Sequence, residues 1–201
     1  RGGERGRGVV GGGGGGGEGG GGAAGGGRAP PRRRHRGLHE GSPMIKEEIL
    51  EIADKAETPE EKLCAIRACI QAAALRSLHE QGAFEKLCLT GESARHFATG
   101  TPDYITDLEF SLVDKKGYKP EQWLFAIKRR LRFMGLDPRI AFARKASIHA
   151  GWVKVTGLLA EEVGFRITID IAPIEPARCT VKLVDMTGEY FGVRYVTSCR
   201  S

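Results

Sequence analysis

Asp107 and Glu109 stand two apart in a stretch, 106 to 113, where Leu108, Phe110 and Leu112 alternate with Asp107, Glu109 and Ser111. Alternation with a period of two marks a half-buried strand and sends both carboxylates from the same face. Asp170 lies in a second alternating stretch, 165 to 172, among Ile167, Ile169 and Ile171. If the two strands are neighbours, three carboxylates converge. Hard oxygen donors in that arrangement suit Mg²⁺. A pair of such ions, about 3.5–4 Å apart, can bridge the attacking and leaving oxygens of a phosphoryl or nucleotidyl transfer. Upstream, Lys86-Leu87-Cys88-Leu89 reads as a short apolar strand that runs into Thr90-Gly91-Glu92-Ser93-Ala94-Arg95, a glycine turn and a helix start. Backbone N–H groups and the positive dipole end at such a start form a cradle for a triphosphate, to which Ser93 would add a hydroxyl. Each signal also has an ordinary reading, as solvated surface acids or a plain turn. Their order and spacing together single them out.

The elements that must position these residues are legible from periodicity. Ile45, Ile49, Ile52 and Ala56 recur at helical spacing. Thr58-Pro59-Glu60-Glu61 reads as a helix start, with Thr58 as cap, Pro59 in the first turn and Glu61 completing a capping box. Leu63, Ile66, Ile70, Ala73, Ala74 and Leu78 form a stripe on that second helix, which Gly82 ends; both helices read as scaffold. Residues 119 to 134 return to helical spacing through Trp123, Ile127 and Leu131, with Lys128, Arg129, Arg130 and Arg132 on a basic face. Strand signals follow at 139–144, 152–156, 165–172, 180–184 and 192–196. Helices first, then strands mixed with helices, predict an α+β domain on a mixed sheet.

Composition separates a tail from this domain. Residues 1 to 43 hold 20 of the 30 glycines and almost no large apolar side chain, so they are expected to be disordered. Their 8 Arg against 3 Glu supply most of the net charge of +6, leaving 23 basic and 22 acidic residues for 44–201. The high pI therefore does not mark the domain as a nucleic-acid binder. The tail itself reads as an RNA-binding arm through Arg32-Arg33-Arg34-His35-Arg36, as an organellar transit segment, or as a non-native extension ahead of Met44. No apolar stretch approaches the roughly 20 residues of a membrane span, which favours a soluble cytoplasmic protein. Five cysteines without C-x-x-C spacing read as free thiols in a reducing compartment, and His79, His96 and His149 carry no metal-ligand spacing.

The segment Cys88 to Arg95, with Asp107-Leu108-Glu109-Phe110-Ser111-Leu112 sixteen positions after Gly91, resembles the signature of the AbiEii/AbiGii toxin family. These are nucleotidyltransferases with the DNA polymerase β-like fold. Phe165 to Pro173 is similar to the family's third acidic strand, and the likeness extends from about Met44 to Val196. The resemblance implies a nucleotidyltransferase-type mixed sheet with N-terminal helices. It implies that Asp107, Glu109 and Asp170 are catalytic and bind Mg²⁺, and that Gly91 and Ser93 contact the nucleotide phosphates. The implied reaction moves a nucleoside monophosphate from an NTP to an RNA or protein acceptor, in a toxin that acts alongside an AbiEi-type antitoxin.

Four departures bear on that expectation. Glu92 stands where the family has a second glycine, and Glu109 where it has Asp. Asp103 and Ile105 replace the family's Arg and Ser. The family also continues beyond the equivalent of Ser201 into a helical region with a Lys and a Lys-Gly-Arg-Asp-type motif, so the chain is expected to be a C-terminally truncated or degenerate copy. The alternatives are then a binding module that keeps the scaffold, or an RNA-binding protein acting through the Gly/Arg tail.

Overall fold

The computed structural model describes residues 45–99, 105–175, 178–187 and 189–196. The Gly/Arg-rich tail, Asp103 and Cys199 lie outside the described residues. Helix α1 (Lys46–Ala53) is followed by α2 (Pro59–Glu80), a short 3₁₀ turn (Ala83–Glu85) and strand β1 (Leu87–Leu89). Helix α3 (Gly91–Thr99) leads on to β2 (Leu108–Leu112) and α4 (Pro120–Phe133). The antiparallel strands β3 (Asp137–Arg144), β4 (Ile148–Thr156) and β5 (Val163–Asp170) come next, then a hairpin of β6 (Cys179–Met186) and β7 (Glu189–Val196).

The start of α2 follows its local chemistry. Thr58 Oγ1 accepts from Glu61 N at 3.2 Å, while Glu61 Oε2 accepts from Thr58 N at 3.2 Å, and Pro59 sets the first turn. The helix buries more than the stripe its sequence displays. From Cys69 to Leu78 only Arg76 escapes burial, because Ala72, Ala73 and Ala74 let neighbouring elements approach on several sides.

Seven strands form one mixed sheet in the order β3-β4-β5-β2-β1-β7-β6. β2 pairs parallel with β5 and β1 parallel with β7; the remaining ladders are antiparallel. The domain is thus α+β on a mixed sheet. One face carries the core: Leu87, Leu89, Leu108, Phe110, Leu112, Phe165, Ile167 and Ile169 are all buried. Helices α2 and α4 lie against it, with α1 packed on α2. Gly151 of β4 shows how close that packing is, since a Cβ there would fall 2.9 Å from a methyl of Leu124 in α4. Alternate residues of the same strands project from the opposite face, and this is where the acids stand. Among the described residues no helix is long and apolar enough to cross a membrane.

Candidate active site

Two neighbouring strands and one turn assemble the site. β1 ends at Leu89, and Thr90 N donates to Glu109 O at 2.9 Å, extending the ladder by one bond. The chain then turns at Gly91, whose φ of 60° lies in the left-handed region. A Cβ on Gly91 would collide with Glu109 Oε2 and come within 2.8 Å of its Cδ. The carboxylate of Glu109 therefore sits in the space a side chain at 91 would take. Glycine is required here twice, by the backbone angle and by the acid above it.

Ser93 locks this arrangement. Its hydroxyl donates to Thr90 O at 3.0 Å and accepts from Glu109 N at 3.3 Å. The side chain is fully buried, so the hydroxyl is spent on joining the turn to the acid strand and does not face solvent. Ser93 thus positions Glu109 and the start of α3, and a phosphate at the turn would meet backbone N–H groups instead. Glu92 is exposed and pairs with Arg95 at 3.6 Å, so its charge points away along the helix.

Asp107 precedes β2 on the acid-bearing side. Its Oδ1 accepts from Arg166 N at 3.1 Å and its Oδ2 from the Arg166 guanidinium at 2.9 Å. The first bond satisfies an amide at the edge of the β2–β5 ladder, and the second is an ion pair. Buried Gln71 of α2 holds the approach to this residue: its Nε2 donates to Ile105 O at 3.1 Å and lies 3.5 Å from Thr106 O.

Asp170 projects from the same face, because β5 pairs Thr168 with Glu109 and Asp170 with Ser111. It does not join the other two acids in a cluster. Asp170 lies four residues along β5 from Arg166, the partner of Asp107, and at ~3.3 Å per residue the offset is ~13 Å. Two aspartates that far apart cannot share an ion. Glu109 is nearer, at half the offset. Among the described residues no three acids, histidines or cysteines stand close enough to hold a metal. Asp170 Oδ1 instead accepts from Ala172 N at 2.9 Å, closing a turn at the strand end. Three carboxylates share a face, as expected, but they are strung along it. Asp107 and Glu109, both hard oxygen donors, stand two apart on this face and are partly exposed, with the Asp107 carboxylate on Arg166 of β5 and the Glu109 carboxylate on the Gly91 turn after β1.

Two residues of this site are absent from the sequence reading. Arg166 belongs to the same alternating set as Thr168 and Asp170 and carried that signal. Gln71, on a helix that reads as scaffold, had none. Burial pushes the Cys69 thiol up to about 11 and raises Cys88 further, so both are protonated. Cys64, Cys69, Cys88 and Cys179 are free.

No family model matches the chain, and no curated protein matches it. Solved structures are similar in fold only loosely. JHP933 from Helicobacter pylori is 15% identical with a TM-score of 0.47, over 70% of this chain and 53% of that one. MenT4, a nucleotidyltransferase toxin from Mycobacterium tuberculosis, is 15% identical with a TM-score of 0.49, over 76% of this chain and 55% of that one. The chain spans about half the length of these structures.

Proposed function

We propose that the chain is the catalytic core of a metal-dependent nucleotidyltransferase, moving a nucleoside monophosphate from an NTP to an RNA or protein acceptor. The observation that carries this reading is the seat of Glu109 on Gly91. It joins the two halves of the motif, the glycine turn and the acid strand, in one place. Triphosphate binding and nucleotidyl transfer need them together: N–H donors for phosphate oxygens beside carboxylates for a cation.

Asp107 and Glu109 would hold Mg²⁺, with Asp170 beside Glu109. An ion there would neutralise charge on the transferred phosphate. The chain's own residues prepare the site. Ser93 and the Thr90–Glu109 bond fix the acid against the turn, Gln71 steadies the strand entry, and the start of α3 presents backbone donors. The motif resemblance supports an AbiEii-type toxin paired with an AbiEi-type antitoxin, acting in the cytoplasm, where NTPs and RNA are at hand.

The test is to incubate the chain with labelled NTPs, Mg²⁺ and total RNA or protein. Label should move to an acceptor with wild type and not with Asp107→Asn. The second reading, a binding module without catalysis, is favoured by one observation: both oxygens of Asp107 are already engaged by Arg166. NTP binding without transfer to any acceptor would make it the better reading.

A further inference from the structure

Asp107, Arg166 and Trp152 occupy one row across three strands. Arg166 on β5 is hydrogen-bonded to Asp107 through backbone and side chain, and on its other flank it is the register partner of Trp152 on β4. Directly opposed residues of an antiparallel pair project from the same face with Cβ atoms about 5 Å apart. Trp152 is 38% exposed. The guanidinium thus has two seats within reach of its flexible side chain. One is the carboxylate it holds here. The other is the exposed indole, which attracts a cation through its ring face.

A divalent ion cannot share Asp107 with a guanidinium at no cost. The ion needs the lone pairs that Arg166 now takes, and the two positive charges repel each other. The ion pair is also easy to break, with Arg166 half exposed and Asp107 about a third exposed. Asp107 keeps its backbone bond from Arg166 N when the side chain leaves, so the strand edge need not open.

We propose that Arg166 is a displaceable counter-ion of the candidate metal site. It neutralises Asp107 while no cation is bound and moves onto Trp152 when one arrives. The inference rests on the reading of Asp107 and Glu109 as cation ligands. In the metal-free chain the charge of Asp107 is then paired, and the incoming ion moves the guanidinium one strand further from it, toward β4.

Mn²⁺ binding to the full chain without nucleotide, followed by the loss of the free-ion paramagnetic resonance signal, tests this. Arg166→Gln should bind Mn²⁺ about two- to fivefold more tightly than wild type, the modest gain expected from removing an exposed competitor. Arg166→Lys, which keeps the charge, should fall between them. Mg²⁺ should also change tryptophan fluorescence in wild type, and the change should vanish in Trp152→Phe and in Arg166→Gln. Wild type binding Mn²⁺ no more weakly than Arg166→Gln would overturn the counter-ion role alone. No Mn²⁺ binding by either protein would overturn it together with the metal reading on which it rests. A Mg²⁺-induced fluorescence change that persists in Arg166→Gln would exclude Trp152 as the second seat.

Discussion

The two faces of the central sheet are built from alternate residues of the same strands, yet they obey different rules. On the covered face Leu108, Phe110, Leu112, Ile167 and Ile169 are buried against the helices, and what matters is volume and lack of polarity. On the other face Asp107, Glu109, Arg166, Thr168 and Asp170 are partly or fully exposed, and each acid has a particular partner: Arg166, the Gly91 turn and Ala172 N in order. One face can exchange one aliphatic residue for another at modest cost. The other cannot, because the amide that matches a carboxylate in shape carries no charge. Stability should reside on the first face and chemistry on the second, with Gly91 and Ser93 as the points where the two meet.

Truncation on the covered face should have the largest effect on folding. Phe110 is 1% exposed and packs against Phe84 with ring centroids 6.2 Å apart. Phe110→Ala should cost about 3–5 kcal/mol, read as a drop in the urea midpoint. A cost below about 1 kcal/mol would mean that the face is not the core.

Gly91→Ala comes next and should couple the faces. A left-handed alanine costs about 1–2 kcal/mol, and the displacement of Glu109 adds to it. Combining it with Glu109→Ala should relieve the collision, so the double variant should lose less than the sum of the singles. Strict additivity would show that the acid does not sit on the turn.

Ser93→Ala should cost about 1–3 kcal/mol, because it leaves the part-buried Glu109 N–H without its acceptor, while Thr90 O keeps its bond from Ala94 N at 3.1 Å. Chemical denaturation would measure this. An unchanged midpoint would mean that water replaces the hydroxyl and the joint is looser than its geometry.

Asp107→Asn should barely move the melting temperature. The amide oxygen still accepts from Arg166 N, and the lost ion pair is exposed and worth about 0–1 kcal/mol. Transfer of label from NTP should nevertheless disappear. A large fall in melting temperature would move Asp107 from the chemical face's rules to those of the core.

The smallest effect is on pH dependence and comes from the covered side. His149 Nδ1 and the Tyr118 hydroxyl are 2.9 Å apart, with the rings stacked. Burial, and secondarily the Arg144 guanidinium, lower the imidazole's pKa. The folded state therefore binds its proton less readily than the unfolded one. The sign follows: the stability is full above the ordinary imidazole value of about 6.5 and is lost as pH falls from there through the lowered folded value. The melting temperature should decline slightly from pH 7 to 5, and His149→Gln should flatten that slope. An equal slope in the variant would assign the decline to other groups.

Much of this molecule could be read from local pattern. Period-two alternation marked β2 and β5, the capping box marked the start of α2, and the glycine between an apolar strand and a helix marked the turn. These are properties of neighbouring residues, set by backbone sterics and local hydrogen bonding, and so they are written in order along the chain. That Asp107 and Glu109 share a face follows from the same period. Register does not. Whether Asp170 stands opposite Asp107 or opposite Ser111 depends on how β5 slides along β2, and a four-residue shift, like any even one, leaves every side chain on its own face. The sequence pattern is identical for both, so only the tertiary structure could separate Asp170 from the acid pair, set Arg166 beside Asp107 and turn Ser93 inward. The width of the buried surface on α2 was hidden for the same reason. Alanines fit a solvated helix or a crowded one, and which applies is decided by what packs against them.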